Sequence, residues 1–240
     1  YKISAGKAIE TLPLPKSVFI PVAQHIGAPA TPLVKRGDEV KAGQVIAKSS
    51  SFVSTNIHSS VSGKVKRVDF SADSSGYPKQ GMLIDVEGDE WLEGIDRSED
   101  LVKDFDLTGK EIIDKIQEAG IVGLGGATFP THVKLVPPKG MKANVLLING
   151  VECEPFLTSD HRLMLEKADE ILVGTRLLMK ALGVEKAVIG IESNKPDAID
   201  LLTEKTKDTE NISVQALKVK YPQGGEKQLI KAVTGKEVPS

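Results

Sequence analysis

One cysteine, Cys153, is all that a chain of 240 residues contains. A single thiol excludes an internal disulfide, a four-cysteine zinc site and a cysteine-ligated iron–sulfur cluster built from this chain alone. No apolar run approaches the roughly 18 residues that a membrane-spanning helix needs. No signal-peptide pattern opens the sequence. An excess of charge of one sign is missing as well. Lys and Arg number 31 against 33 Asp and Glu, a net charge of −2, so no global basic field exists to hold a nucleic acid backbone. A reducing, cytoplasmic setting is the expectation that these absences leave.

What is present suffices for a core without staples, with 40% apolar and 27% charged residues. The length predicts one large domain or two small ones. The chain starts at Tyr1 without Met and stops at Val238-Pro239-Ser240, soon after a helix-like stretch, as expected of a piece cut from something longer.

The first third reads as β structure. Ser17–Val22 and Met82–Val86 are short apolar strands, residues 35–47 alternate apolar runs with glycine turns, and Val61, Val65 and Val68 repeat a strand pattern. Short strands at close spacing predict a small barrel or sandwich. Acidic residues then crowd Asp85–Asp106 against only Arg97 and Lys103, which reads either as an irregular connector or as a solvated helix face around Leu101. Beyond it the period becomes α/β. Thr108 can cap a helix carrying Ile112, Ile113 and Ile116 and ending near Gly120. Val145–Ile148 predicts a strand buried on both faces. Asp160–Leu182 predicts one long helix with Leu163, Ile171, Leu172, Leu178 and Leu182 inward and Gly183 closing it. Lys186–Ile191 and Ile212–Val219 are further strands. Asn194 can cap a helix from Pro196, and another helix begins at Glu226. This alternation implies a largely parallel sheet flanked by helices. The expected division is a β-rich domain over residues 1–88, a connector over 89–108 and an α/β domain over 109–240.

Val34-Lys35-x-Gly37-Asp38-x-Val40-x-x-Gly43-Gln44-x-Ile46, followed by Ile57-His58-Ser59-Ser60-Val61-Ser62-Gly63, resembles the biotinyl- and lipoyl-carrier domains, which are flattened barrel–sandwich hybrids. Their chemistry needs a lysine on an exposed hairpin tip. Phe52 stands at that position and Ser49–Thr55 holds no lysine, so the scaffold is expected without biotinylation or lipoylation. His58 reads as a hydrogen-bonded turn residue rather than a ligand.

Three loops carry the remaining polar pattern. Gly120–Thr131 contains Gly123-Leu124-Gly125-Gly126. It follows a helix rather than a strand, so it fails the context of a Rossmann fingerprint, and it lacks the Lys-Ser/Thr ending of a P-loop. It remains either a plain tight loop or a backbone cradle for a flat or phosphorylated ligand, with Lys134 as a phosphate partner. Asn149-Gly150-Val151-Glu152-Cys153-Glu154 leaves the carboxyl end of a buried strand, where open α/β sheets bind ligands. Glu152 and Glu154 can act as acid and base, bind a metal or a ribose, or simply solvate a loop. Cys153 reads as lining rather than as a redox group. Tyr221-Pro222-Gln223-Gly224-Gly225-Glu226-Lys227 ends a strand and opens a helix. It serves equally as an anion site or as an ordinary turn.

Together, the order helix–GxGGAxFP–strand–NGxExEP–YPxGGEKQL resembles the flavin-binding fold of the NADH-oxidising flavoprotein subunit of respiratory complex I. It is closer still to the RnfC family of the Rnf electron transport complexes, through Gln24-His25-Ile26-Gly27-Ala28-Pro29-Ala30 and Ile57–Gly63. The resemblance spans almost the whole chain. It implies a two-domain α+β and α/β fold: a barrel–sandwich hybrid followed by an FMN-binding α/β domain of the complex I flavoprotein type. It further implies the NADH-side electron-input subunit of an ion-translocating NADH:ferredoxin oxidoreductase, peripheral on the cytoplasmic face of the bacterial inner membrane. Its partners would be the membrane-embedded Rnf subunits, NADH and, through the complex, ferredoxin. In that family FMN would contact Gly123, Gly125, Gly126, Lys134, Asn149, Glu152, Gly224 and Glu226, and NADH would contact Phe129 and Glu154. No metal site and no catalytic side chain are implied here, because the family's [4Fe–4S] clusters belong to a cysteine-rich C-terminal region that this chain does not contain. Three positions depart from the complex I pattern. Leu124 replaces an arginine, Val151 an aspartate, and Gly225 the first of two glutamates. The rival expectation is a docking module, or a component of another reductase, that holds no flavin.

Overall fold

The computed structural model describes residues 2–72, 76–124, 128–209 and 211–238. They fall into two compact units. One comprises Leu12–Asp100 with Lys110–Val136, the other Tyr1–Thr11, Leu101–Gly109 and Pro137–Ser240. The division expected from sequence placed residues 110–136 with the α/β half; by contacts they group with the β-rich residues.

In the β-rich unit, β1 (Ser17–Pro21), β2 (Thr31–Pro32), β3 (Glu39–Val40), β4 (Val45–Lys48), β5 (Ile57–His58), β6 (Gly63–Ala72) and β7 (Pro78–Val86) form two sheets. Their orders are β1-β7-β6-β3 and β2-β4-β5, with antiparallel pairing throughout. Val65 points inward while Lys64 and Lys66 face water, the period-two alternation of a half-buried strand. Both sheets bury their inward residues in one core that includes Ile20, Val40, Ile46, Ile57, Val65, Met82 and Ile84.

The hairpin between β4 and β5 carries Phe52 at its tip, exposed. The hairpin braces the following helices. Asn56 Nδ2 donates to the Glu118 carbonyl at the end of α1 (Gly109–Glu118), and His132 Nε2, in α2 (Thr131–Lys134), lies 3.3 Å from the Phe52 carbonyl. Gly120 closes α1 in the left-handed region at φ 69°, where a Cβ would stand 2.4 Å from the Asn56 carbonyl oxygen. These ties explain why residues 110–136 group with the barrel. His58 is a half-buried strand residue, not a turn residue, and burial pushes its imidazole below the ordinary histidine range. Residues 87–108 form no helix, so the acidic stretch is irregular. Ala42 pairs with Trp91 in an isolated bridge, and the Arg97 guanidinium lies 4.8 Å over the Trp91 ring.

The second unit orders β8 (Leu146–Gly150), α3 (Ser159–Glu166), α4 (Ala168–Leu182), β9 (Ala187–Glu192), α5 (Pro196–Thr206), β10 (Ile212–Leu217) and α6 (Glu226–Thr234). The sheet is parallel in the order β10-β9-β8. Three expectations are corrected. Among the described residues β8 pairs with one strand and is only half-buried along most of its length; the central β9 is the strand buried on both faces. The expected single helix breaks at Lys167, whose backbone leaves the helical region at φ −130° and ψ 34°. Met164, Ala168 and Met179 lie in the core with Ile171, Leu172 and Leu182 packed against it, as expected for the last three, whereas Leu163 is exposed. Lys195, not Asn194, occupies the N-cap of α5 and offers no side-chain cap, while Pro at the first turn and Gly183 in the left-handed region after α4 are as expected.

His161 of α3 and Asp197 of α5 meet at 2.8 Å. Desolvation raises the Asp197 carboxyl, but the His161 hydrogen bond, the Ala198 N–H and the His161 charge outweigh it and hold the group below the usual range. A carboxyl depressed in the folded state contributes stability above its unfolded value and loses it as pH falls through the folded one. Asp197→Asn should therefore flatten the acid limb of the stability curve below about pH 4. Melting temperatures of both proteins across that range check this, and parallel curves would contradict it.

Candidate functional site

Because β8, β9 and β10 run parallel, their carboxyl ends share one edge, and the loops leaving that edge are the ligand-binding position of an open α/β sheet. Asn149, at the end of β8, stitches two of these loops together. Its Nδ2 donates to the Gly224 carbonyl at 2.9 Å, while its Oδ1 accepts from the Val151 N–H at 3.1 Å. The two loops pack closely here: a Cβ on Gly224 would stand 3.0 Å from the Val151 carbonyl oxygen and 3.4 Å from Cys153 Sγ.

Glu152 is buried. Its Oε1 accepts from the Asp160 N–H at 2.9 Å and thereby anchors the start of α3, and its Oε2 lies 3.4 Å from Lys2 Nζ. Glu154 stays exposed. The Asp160 carboxyl is pushed up, first by desolvation and then by the charges of Glu152 and Glu154, with Lys195 and Lys2 opposing. The N-cap of α6 is Gly225 in extended backbone, and no side-chain cap is present among the described residues, so the first-turn N–H groups favour an anion beside the exposed Glu226 and Lys227.

Asn149, Glu152, Glu154, Gly224 and Glu226 thus belong to one unit, with Asn149 touching Gly224 directly. Gly123, Phe129 and Lys134 belong to the other unit. Gly123 donates to the Phe129 carbonyl at 3.1 Å, and Lys134 is exposed at the end of α2. Gly125 and Gly126 lie outside the described residues.

Sequence reasoning missed three polar groups at the same sheet edge. Glu192 and Lys195 form an ion pair at 3.2 Å with both side chains almost fully buried, and Lys195 also donates to Asn194 Oδ1. Gln223 is 1% exposed. Among the described residues, Glu192 Oε1 and Gln223 Oε1 find no hydrogen-bond donor. A glutamate directly after the apolar run Val188–Ile191 was the available signal for the pair, since buried charges are rare unless matched.

Two of the motif loops thus meet at the carboxyl edge of a parallel sheet, the ligand-binding architecture of an open α/β domain. Residues 116–240 match the family described as the Nuo51 FMN-binding domain. Residues 1–89 match the RnfC barrel sandwich hybrid domain, and the chain belongs to the RnfC family. It is 51% identical over 246 residues to the C subunit of the proton-translocating ferredoxin:NAD(+) oxidoreductase complex of Clostridium ljungdahlii, covering 100% of this chain and 52% of that protein. It is 47% identical over 230 residues to the Na(+)-translocating counterpart of Acetobacterium woodii, covering 94% and 51%. It is 42% identical over 236 residues to the C subunit of an ion-translocating oxidoreductase complex of Rhodobacter capsulatus, covering 97% and 45%. The chain spans about half the length of these relatives. Among the described residues no helix is long and apolar enough to cross a membrane, and no group of His, Cys, Asp and Glu could hold a metal ion.

Proposed function

We propose that this chain supplies the flavin and NADH site of an ion-translocating NADH:ferredoxin oxidoreductase of the Rnf type. The observation that carries the reading is the Asn149–Gly224 stitch, which joins two family-motif loops at the carboxyl edge of the sheet within residues that match an FMN-binding domain. The donor set suits FMN. The uncapped first turn of α6 and Lys227 favour a phosphate, and the orphan Gln223 carbonyl oxygen can accept from a ligand N–H or O–H. Gly123, Gly125, Gly126 and Lys134 would hold the flavin with Asn149, Glu152, Gly224 and Glu226. Phe129 and Glu154 would orient the nicotinamide nucleotide. FMN, when bound, supplies the conversion of a hydride into single electrons.

Onward transfer needs cysteine-ligated clusters, which Cys153 alone cannot provide. Those clusters would come from the cysteine-rich region of the family, and the residues in hand should not by themselves reduce ferredoxin. The membrane-embedded subunits of the complex would be the docking partners, with this subunit peripheral on the cytoplasmic face.

The docking-module reading has one observation in its favour: Asn149 and Glu152 already direct hydrogen bonds to the protein itself. Titration with FMN, followed by quenching of flavin fluorescence, separates the two. Saturable binding is expected in the full-length subunit, weakened about ten- to a hundredfold by Lys134→Ala through loss of a charge-assisted contact. No quenching in the unaltered protein would overturn the flavin reading.

A further inference from the structure

Lys2 lies 150 residues away in sequence from the loop it enters. Its Nζ donates to the carbonyls of Glu152 at 2.8 Å, Glu154 at 2.9 Å and Leu157 at 2.5 Å, and stands 3.4 Å from Glu152 Oε2. An ammonium carries three protons, so three carbonyls saturate it while the carboxylate supplies the countercharge. Carbonyl dipoles that converge on one point repel one another unless a cation holds them. The arrangement is a cation cradle whose ion is tethered to the chain.

The rest of the segment docks beside it. Ser4 Oγ and Thr158 Oγ1 are 2.7 Å apart, Arg162 donates to the Ala5 carbonyl at 3.1 Å, and the Ile9 N–H donates to the Glu166 carboxylate at 3.1 Å. The loop is strongly anionic, since Glu152 and Glu154 both push the Asp160 carboxyl upward, and Lys2 is one of the two cations that oppose them.

We propose that Lys2 is the positioning residue of the cofactor loop. Its ammonium fixes the backbone of residues 152–157 and so sets Glu152 and Glu154 for the flavin and the nicotinamide nucleotide. The inference rests on the reading that this loop serves FMN.

FMN affinity of the flavin-free full-length subunit, measured by fluorescence quenching, tests it. Lys2→Met should weaken binding about tenfold, as expected for loss of a charge-assisted contact. Ammonium chloride should restore most of that affinity by filling the cradle, while tetramethylammonium chloride at equal ionic strength should not. Ser4→Ala, which cuts the neighbouring tie and keeps the ammonium, should bind FMN like the unaltered protein. Unchanged affinity in Lys2→Met, or a loss that ammonium does not repair, would overturn the role of Lys2 and leave the flavin reading standing. Absence of FMN binding in the unaltered protein would overturn the flavin reading, and this role with it.

Discussion

Lys195→Met alone should strongly destabilise the α/β unit. Lys195 and Glu192 are almost fully buried and lie 3.2 Å apart at the end of the central strand. Removing the cation strands a carboxylate that already has one oxygen without a donor among the described residues. Breaking one side of a buried pair costs about 3–5 kcal/mol. In a unit of this size that lowers the melting temperature by on the order of 10 °C. Because the cost arises from the unmatched charge, Glu192→Met combined with Lys195→Met should recover most of it. Thermal unfolding of both variants decides the matter. A double variant as unstable as the single one would show that packing around Lys195, not charge compensation, sets the loss.

The second large effect concerns ligand affinity. Glu152→Ala should lower FMN affinity about ten- to a hundredfold, the cost of a lost charge-assisted hydrogen bond. The geometry adds a distinction. Glu152 Oε1 receives the Asp160 N–H and Oε2 faces Lys2, so the carboxylate both anchors α3 and neutralises the ammonium. Glu152→Gln keeps an acceptor for Asp160 but gives up the charge. It should therefore hold the α3 start in place and still bind FMN more weakly than the unaltered protein, as flavin titration would show. Equal affinity in Glu152→Ala and the unaltered protein would remove Glu152 from the site.

Much of the scaffold was legible because local chemistry dictates it. Val65 between Lys64 and Lys66 declares a half-buried strand, and Gly183 closes a helix that only a residue tolerant of positive φ closes cheaply. The motif loops were legible through glycines and carboxylates at element ends. What escaped notice depended on the rest of the molecule. The edge position of β8 is set by how many strands pair with it, which its apolar run does not encode. The break at Lys167 involves neither proline nor glycine, so no residue type announced it. The Lys2 cradle joins residues 150 apart, and no pattern around Gln223 announces its burial.

Amide hydrogen exchange of the full-length protein with and without FMN tests the central claim most directly. The account predicts that FMN slows exchange in three separate segments: the glycine loop around Gly123–Phe129, the Asn149–Leu157 loop, and the Gln223–Gln228 turn opening α6. Protection confined to one of these segments, or to none, would contradict it.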